Sequence, residues 1–333
     1  MADAAFTVDF AGPLVTLQDA GRPGHMRYGV PASGPMDRLA FEAVHAALGN
    51  RPGQTAIEIS LGGLILRCTQ GAVTLAIAGG DFTLQHGSQK SRSWTILTLR
   101  KGERLSITAG KAGSWAYLAC AGTIAASDWL GSRATHSTSG FGGRVIRAGH
   151  EIALSDAVIR EDREGDIPQP DFPAGGPIRV VTGPQDQHFA EATVSRFLTE
   201  TYTVSDAYDR MGMRLKGPDL PPDAALSIPS EPIVRGSVQV SGDGVPTVLL
   251  ADHQTTGGYP KIATVIAQDT DRLAQYRAGQ TLRFKAISGA QAVDEARHYA
   301  ARKTKYLADI AVPRGTLAQR LMRENLIHGC VFD

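Results

Sequence analysis

Ala56-Ile57-Glu58-Ile59-Ser60, Gly63-Leu64-Ile65-Leu66-Arg67, Val73-Thr74-Leu75-Ala76-Ile77 and Trp94-Thr95-Ile96-Leu97-Thr98-Leu99 follow one another closely. Arg104-Leu105-Ser106-Ile107-Thr108 and Trp115-Ala116-Tyr117-Leu118-Ala119 continue the series. Short β-rich runs, spaced by roughly 8–12 residues with Gly and Pro between them, predict an all-β sandwich or barrel. The pattern returns later in Ile178–Val181, Tyr202–Val204, Ser237–Val240, Thr247–Leu250, Ile262–Ile266 and Thr281–Phe284. There is no exact internal repeat, yet both halves are strand-rich with Gly-Pro or Gly-Gly loops, which fits two similar barrels.

The exceptions are helical. Met36 to Leu48 places apolar residues at helical spacing, Ser33 or Asp37 offers a cap, and Gly49-Asn50 supplies a stop. Gln291 to Lys305 is rich in helix formers, and a second short helix is expected over Leu317 to Glu324. Asp, Glu, Pro and Gly crowd the stretch before Ile178. The expected division is a β domain over 1–160, a linker over 161–177, a second β domain over 178–290 and a helical tail over 291–333.

Bulk properties narrow the function. A chain of 333 residues with 42% hydrophobic content can bury two cores. Its 34 basic and 33 acidic residues leave a net charge of +1, which gives no bulk attraction to nucleic acid or to an anionic membrane. Cys68, Cys120 and Cys330 have no metal-ligand spacing, and the first two lie in apolar runs. With no long apolar stretch near Asp3 and Asp9, a cytoplasmic, reducing location is expected.

Function is expected where polar residues gather around glycines. Asp252-His253-Gln254-Thr255-Thr256-Gly257-Gly258-Tyr259-Pro260-Lys261 follows an apolar strand-like run. Gln18-Asp19-Ala20-Gly21-Arg22 and Gly29-Val30-Pro31-Ala32-Ser33-Gly34-Pro35-Met36-Asp37 are its counterpart near the other end. One site built from both is expected. No Gly-Lys-Ser/Thr phosphate loop, zinc-spaced cluster, Gly-x-Ser-x-Gly elbow or Met-Lys-Met biotinylation site is present.

These two runs, with Ala56–Gly63, Leu130–His136, Gly183–Asp186, Asp209–Leu215 and Ser230-Glu231 between them, resemble the allophanate hydrolase subunit 2 family. That family is also called the biotin-dependent carboxyltransferase family, and it includes the 5-oxoprolinase C-subunits. The resemblance covers roughly residues 8–288. Tyr208 stands where the family usually has Ser, and Pro232 where it usually has Gly.

The resemblance implies a mainly β fold of two linked cyclophilin-like β-barrels with a few short helices. It implies an enzyme subunit that is inactive alone, a 5-oxoprolinase opening 5-oxoproline to glutamate with ATP and water. A subunit 1-like protein and a third, larger subunit are the implied partners, and they would share or hold the ATP. One alternative is a carboxyltransferase component moving carbon dioxide from carboxybiotin to urea, with the biotin on another chain. The other is a regulatory binding protein.

Opening a lactam calls for a base, anion binders and oxyanion donors. Asp37, Asp252 and Lys261 are the candidate catalytic residues, with Asp19 a further candidate base. Gln18, Asp19, Arg22, Ser33, Glu58, Arg210, Gln254, Thr255, Thr256, Gly257, Gly258 and Tyr259 are candidate substrate binders. Structural readings stay open beside these: salt bridges Arg22–Asp19 and Asp209–Arg214, a cap at Asp37, and a turn at Gly257-Gly258. Glu58, a carboxylate within an apolar strand, needs a partner.

Overall fold

The computed structural model describes residues 3–172, 175–223, 228–315 and 317–323. Its first half is two facing antiparallel sheets. One has seven strands in the order Thr123–Ile124, Glu151–Ser155, Ala4–Ala11, Leu64–Gln70, Arg104–Ala109, Phe82–His86 and Gln89–Arg92. The other has six: Gly165–Asp166, Thr95–Arg100, Ala72–Gly79, Ala116–Cys120, Ala56–Ile59 and Thr16–Gln18.

Helix α1, Arg38–Leu48, lies on the outer face of the six-stranded sheet, against Ala72–Gly79 and Ala116–Cys120. Those strands are covered on both faces. That is why they read as unbroken apolar runs, while Glu151–Ser155 in the other sheet alternates exposed and buried. Asp37 caps α1 by accepting from the Ala40 amide at 3.0 Å, and Gly49 ends it in the left-handed region at φ 67°.

The second half is one eight-stranded sheet: Thr281–Leu282, Tyr202–Tyr208, Gly212–Lys216, Pro246–Leu249, Ser237–Val240, Lys261–Val265, Ile178–Thr182 and Phe284–Ala286. Its two outermost strands flank a single residue, Arg283, so the sheet must curl round almost to closure. The protein is therefore mainly β, with helices few. Inside the curl lie Phe197, Tyr202, Met213, Leu215, Val238, Val248, Ile262 and Phe284. Met36 and Trp115, from the first half, plug into this second core.

The segment expected to be a linker is partly built into the first half. Its Gly165–Asp166 adds an edge strand against Thr95 and Ile96, and Arg163 donates to the Ala47 carbonyl at 3.1 Å and to that of Ala311 at 2.8 Å. Polar composition concealed a backbone that still pairs. Helix α2, Gly289–Ala311, opens with a capping box at Ser288 and Gln291. It returns to pack on α1, where Lys303 meets Glu42 at 2.8 Å. A short helix, Leu317–Arg323, follows; the expected extension to Glu324 and the tail beyond lie outside the described residues. Among the described residues no helix is long and apolar enough to cross a membrane.

Candidate functional site

The two polar runs do meet. Arg210, wholly buried, reaches from the second half into the first. It donates to both Asp252 oxygens at 2.9 Å, to Glu58, and to the Gly34 carbonyl at 2.7 Å. Glu58 accepts in turn from the Met36 amide at 2.8 Å and the Tyr117 hydroxyl at 2.7 Å. Asp252 also accepts from the amide and hydroxyl of Ser137, at 3.1 and 2.9 Å. Burial would raise the Asp252 carboxyl, but the Arg210 guanidinium holds it below its ordinary range. Burial would lower Arg210, and the carboxylates of Asp252 and Glu58 raise it instead.

All three side chains are closed to solvent. Glu58 has the partner its apolar strand called for. With every oxygen engaged, Glu58 and Asp252 hold the halves together and orient the loops carrying Gly34, Met36 and Ser137.

Asp37 sits at the same junction. Its second oxygen accepts from Gln275 Nε2 at 2.8 Å, while Gln275 Oε1 accepts from the amides of Ser114 and Trp115. Burial, with the Asp271 carboxylate beside it, pushes Asp37 up to about 6. Asp271 itself pairs with Arg38 at 2.8 Å and Arg235 at 3.1 Å.

Neither salt bridge left open by the sequence forms among the described residues. Asp19 accepts instead from the Gly21 amide at 2.8 Å, the Ser132 hydroxyl at 2.6 Å and the Arg133 amide. Arg214 pairs with Asp243 at 2.5 Å, and Asp209 accepts from the amides of Met211 and Gly212. Arg22 lies under the ring of Trp129, 5.0 Å from its centroid, and one of its nitrogens donates to the Ala134 carbonyl. Desolvation lowers its pKa, with the carboxylates of Asp19, Asp252 and Asp128 pulling the other way. Gln18 donates to Thr16 and to the Thr135 carbonyl, both at 2.9 Å. Ser33 is buried with φ 54°.

From the second run, Gln254 and Tyr259 line a cleft of about 380 Å³ on the second half, with Gln239, Asp209 and Arg214 also in its wall. Gln254 Nε2 donates to Gln239 Oε1 at 3.4 Å. Thr256–Gly257 is a short strand paired with Glu231–Pro232, so this glycine pair is more than a turn. A Cβ at Gly257 would sit 2.5 Å from Gln239 Nε2, so a larger residue there would have to move the Gln239 amide. The Thr255 carbonyl accepts from Ile233 at 3.2 Å, and that of Gly258 from Ile228 at 2.8 Å. Lys261 is buried behind this strand, its Nζ 3.6 Å from Glu231 and 3.5 Å from the Pro232 carbonyl.

The structure thus joins Glu58, Arg210 and Asp252, sets Arg22, Gln18 and Ser33 on adjoining segments, and leaves Gln254 and Tyr259 facing a cleft. Tyr117, Ser137, Trp129, Gln239 and Gln275 escaped the sequence reading. Each lies in an ordinary strand, loop or helix end, and only its contacts mark it.

Residues 28–286 match the family described as carboxyltransferase domain, subdomain A and B. A Haemophilus influenzae protein named as the C-subunit of 5-oxoprolinase is 34% identical over 276 residues, 82% of this chain and 88% of that protein. A putative urea carboxylase of Emericella nidulans is 31% identical over 305 residues, 86% of this chain but 24% of that protein. The crystal structure of the Kluyveromyces lactis urea carboxylase shares the fold, with a TM-score of 0.81 at 24% identity over 95% of this chain. This chain spans 30% of that much longer one.

Proposed function

The chain belongs to the carboxyltransferase domain family of subdomains A and B, and from that premise we propose that it is one subunit of an ATP-dependent hydrolase of a cyclic amide. The substrate would be 5-oxoproline and the product glutamate. The observation that carries this reading is the extent of the match: 88% of a protein named as a 5-oxoprolinase subunit is covered, against 24% of the putative urea carboxylase. One lettered subunit implies others, and the partners proposed are a subunit 1-like protein and a third, larger subunit. Catalysis would belong to the assembly, in the cytoplasm, where the free buried Cys68 and Cys120 stay reduced.

The cleft supports an amide ligand. A lactam presents one carbonyl acceptor and one N–H donor, and the amides of Gln239 and Gln254 beside the Tyr259 hydroxyl offer both complements. The cleft offers a triphosphate little unpaired positive charge. The cleft's Arg214 is paired with Asp243, and nearby Lys261 faces Glu231. ATP, and the activation of the lactam oxygen, are therefore assigned to the partner subunits. On this chain the cleft residues bind and orient, while Arg210, Glu58 and Asp252 hold the two halves in register. Lys261 supplies a positive charge behind the cleft wall.

Carboxyl transfer from a partner's carboxybiotin is the second reading, favoured by the family's description and the urea carboxylase match. The two separate on reconstitution with the partner subunits. The hydrolase reading expects lactam opening that is indifferent to avidin and to added bicarbonate. Avidin-sensitive, bicarbonate-dependent carboxylation of urea would replace it with the second.

A further inference from the structure

We propose that Arg22, Ser33 and Gln18 form an enclosed receptor for a small planar oxyanion, either a carboxylate or bicarbonate, that also carries a hydrogen-bond donor. Nothing in the lactam hydrolase reading requires this, and it concerns binding by this chain alone. Arg22 is 2% exposed, yet among the described residues neither Nε nor Nη1 has a partner. Gln18 Oε1 and Ser33 Oγ, in residues 0% and 8% exposed, have none either.

The three residues adjoin. The Arg22 amide donates to the Ala32 carbonyl at 2.8 Å, and Gly21 packs against the carbonyls of Ala32 and Ser33. Gln18 and Arg22 hold the consecutive carbonyls of Thr135 and Ala134. Ser33 keeps a left-handed backbone that only glycine adopts freely, a strain typical of ligand-facing positions.

Among the described residues no carboxylate forms a salt bridge with Arg22. Asp19, Asp252 and Asp128 act on it only through their field, and each has other partners: Asp19 accepts from Gly21, Ser132 and Arg133, Asp252 from Arg210 and Ser137, and Asp128 from the Gly131 amide. A buried guanidinium with idle donors is unfavourable unless an anion meets it.

Geometry selects the anion. Trp129, itself stacked on Phe141 at 4.7 Å, covers one face of the guanidinium, and the idle Nε and Nη1 point their N–H groups along its plane, which is where an anion would meet them. Flat oxyanions match that approach. The Ser33 hydroxyl adds a donor. Gln18 Oε1 is an acceptor and would repel a bare anion, so the ligand must offer a proton there. The N–H of a lactam acid and the O–H of bicarbonate both do; acetate and chloride do not.

The test is calorimetric titration of the whole chain with 5-oxoproline, bicarbonate, acetate and chloride, with tryptophan fluorescence recorded in parallel. Saturable binding of 5-oxoproline or bicarbonate, well ahead of acetate and chloride, is expected. Arg22→Gln should weaken it at least about tenfold and Ser33→Ala by about threefold. Trp129→Phe should remove the fluorescence change while calorimetric binding persists. Should Arg22→Gln fail to fold, Ser33→Ala and Trp129→Phe carry the test.

Absence of saturable binding by either anion overturns the proposal, as does affinity unchanged in the folded Arg22 and Ser33 variants. Binding of bicarbonate but not of 5-oxoproline would uphold the receptor and count against the hydrolase reading, so the two fail separately.

Discussion

Replacing Arg210 by methionine isolates what holds the two halves together. Its guanidinium neutralises both Glu58 and Asp252, and all three side chains are excluded from solvent. Removing one partner of a buried pair costs about 3–5 kcal/mol. Here a single loss strands two carboxylates, so Arg210→Met should lie near the top of that range, about 5 kcal/mol, within a total stability of about 5–15 kcal/mol. At about 2–4 °C per kcal/mol, the melting temperature falls by roughly 10–20 °C.

Glu58→Gln should be milder. It keeps the Arg210–Asp252 pair and costs about 1–3 kcal/mol, because its amide N–H₂ must face a donor, either the Met36 amide or Arg210. Acid adds a sign. In the wild type the Asp252 carboxyl is held low, so its stabilisation is present above about pH 4 and is lost as the pH falls through the folded value. Without Arg210, burial, the largest influence on Asp252, is opposed by only the Ser137 amide and His136, so the carboxyl rises, takes up a proton on mild acidification, and the gap to wild type narrows between about pH 7.5 and pH 5. Urea unfolding followed by circular dichroism at both pH values reads this. An Arg210→Met protein as stable as wild type, less damaged than Glu58→Gln, or further from wild type at the lower pH would refute the reasoning.

Asp37 should behave oppositely. Its carboxyl is raised from 3.8 to about 6, so its stabilisation is complete below the ordinary value and is lost as pH rises through the folded one. Asp37→Asn keeps the cap and should therefore gain on wild type by roughly 2–3 kcal/mol between about pH 4 and pH 7, read by unfolding at each pH. Gly142→Ala should destabilise by more than about 1 kcal/mol in a thermal melt; φ is 89°, and a Cβ would lie 1.9 Å from the Ala134 carbonyl oxygen and 2.7 Å from Arg22 Nη2. Tyr259→Phe and Gln254→Ala, at the cleft wall, should leave stability within about 0.5 kcal/mol. Both should lower lactam turnover by the assembled subunits at least about tenfold; unchanged turnover would remove the cleft from the site.

Strands that are apolar on both faces, such as Ala72–Gly79, were legible in the sequence, and so was α1, whose cap and stop are local. Gln89–Arg92 was hidden, a fully exposed polar strand that exists only because Phe82–His86 pairs with it. The helix Ala267–Ala274 was hidden too. Its Asp269 and Asp271 turn inward to Arg179, Arg38 and Arg235, partners no local window contains. In the site, Glu58 announced a missing partner, but nothing near it named Arg210, 152 residues away. The pairing of Arg22 with Asp19, left open by the sequence, does not form because backbone amides of Gly21 and Arg133 engage Asp19, and the cover of Trp129 could not be read at all.

The most direct test of the central claim is glutamate and ADP release from 5-oxoproline and ATP. This chain would be mixed with the subunit 1-like protein and the third subunit, and each would be omitted in turn. Glutamate only from the complete mixture is the predicted result. No glutamate from a complex shown to be folded and assembled, or equal turnover without this chain, would contradict it.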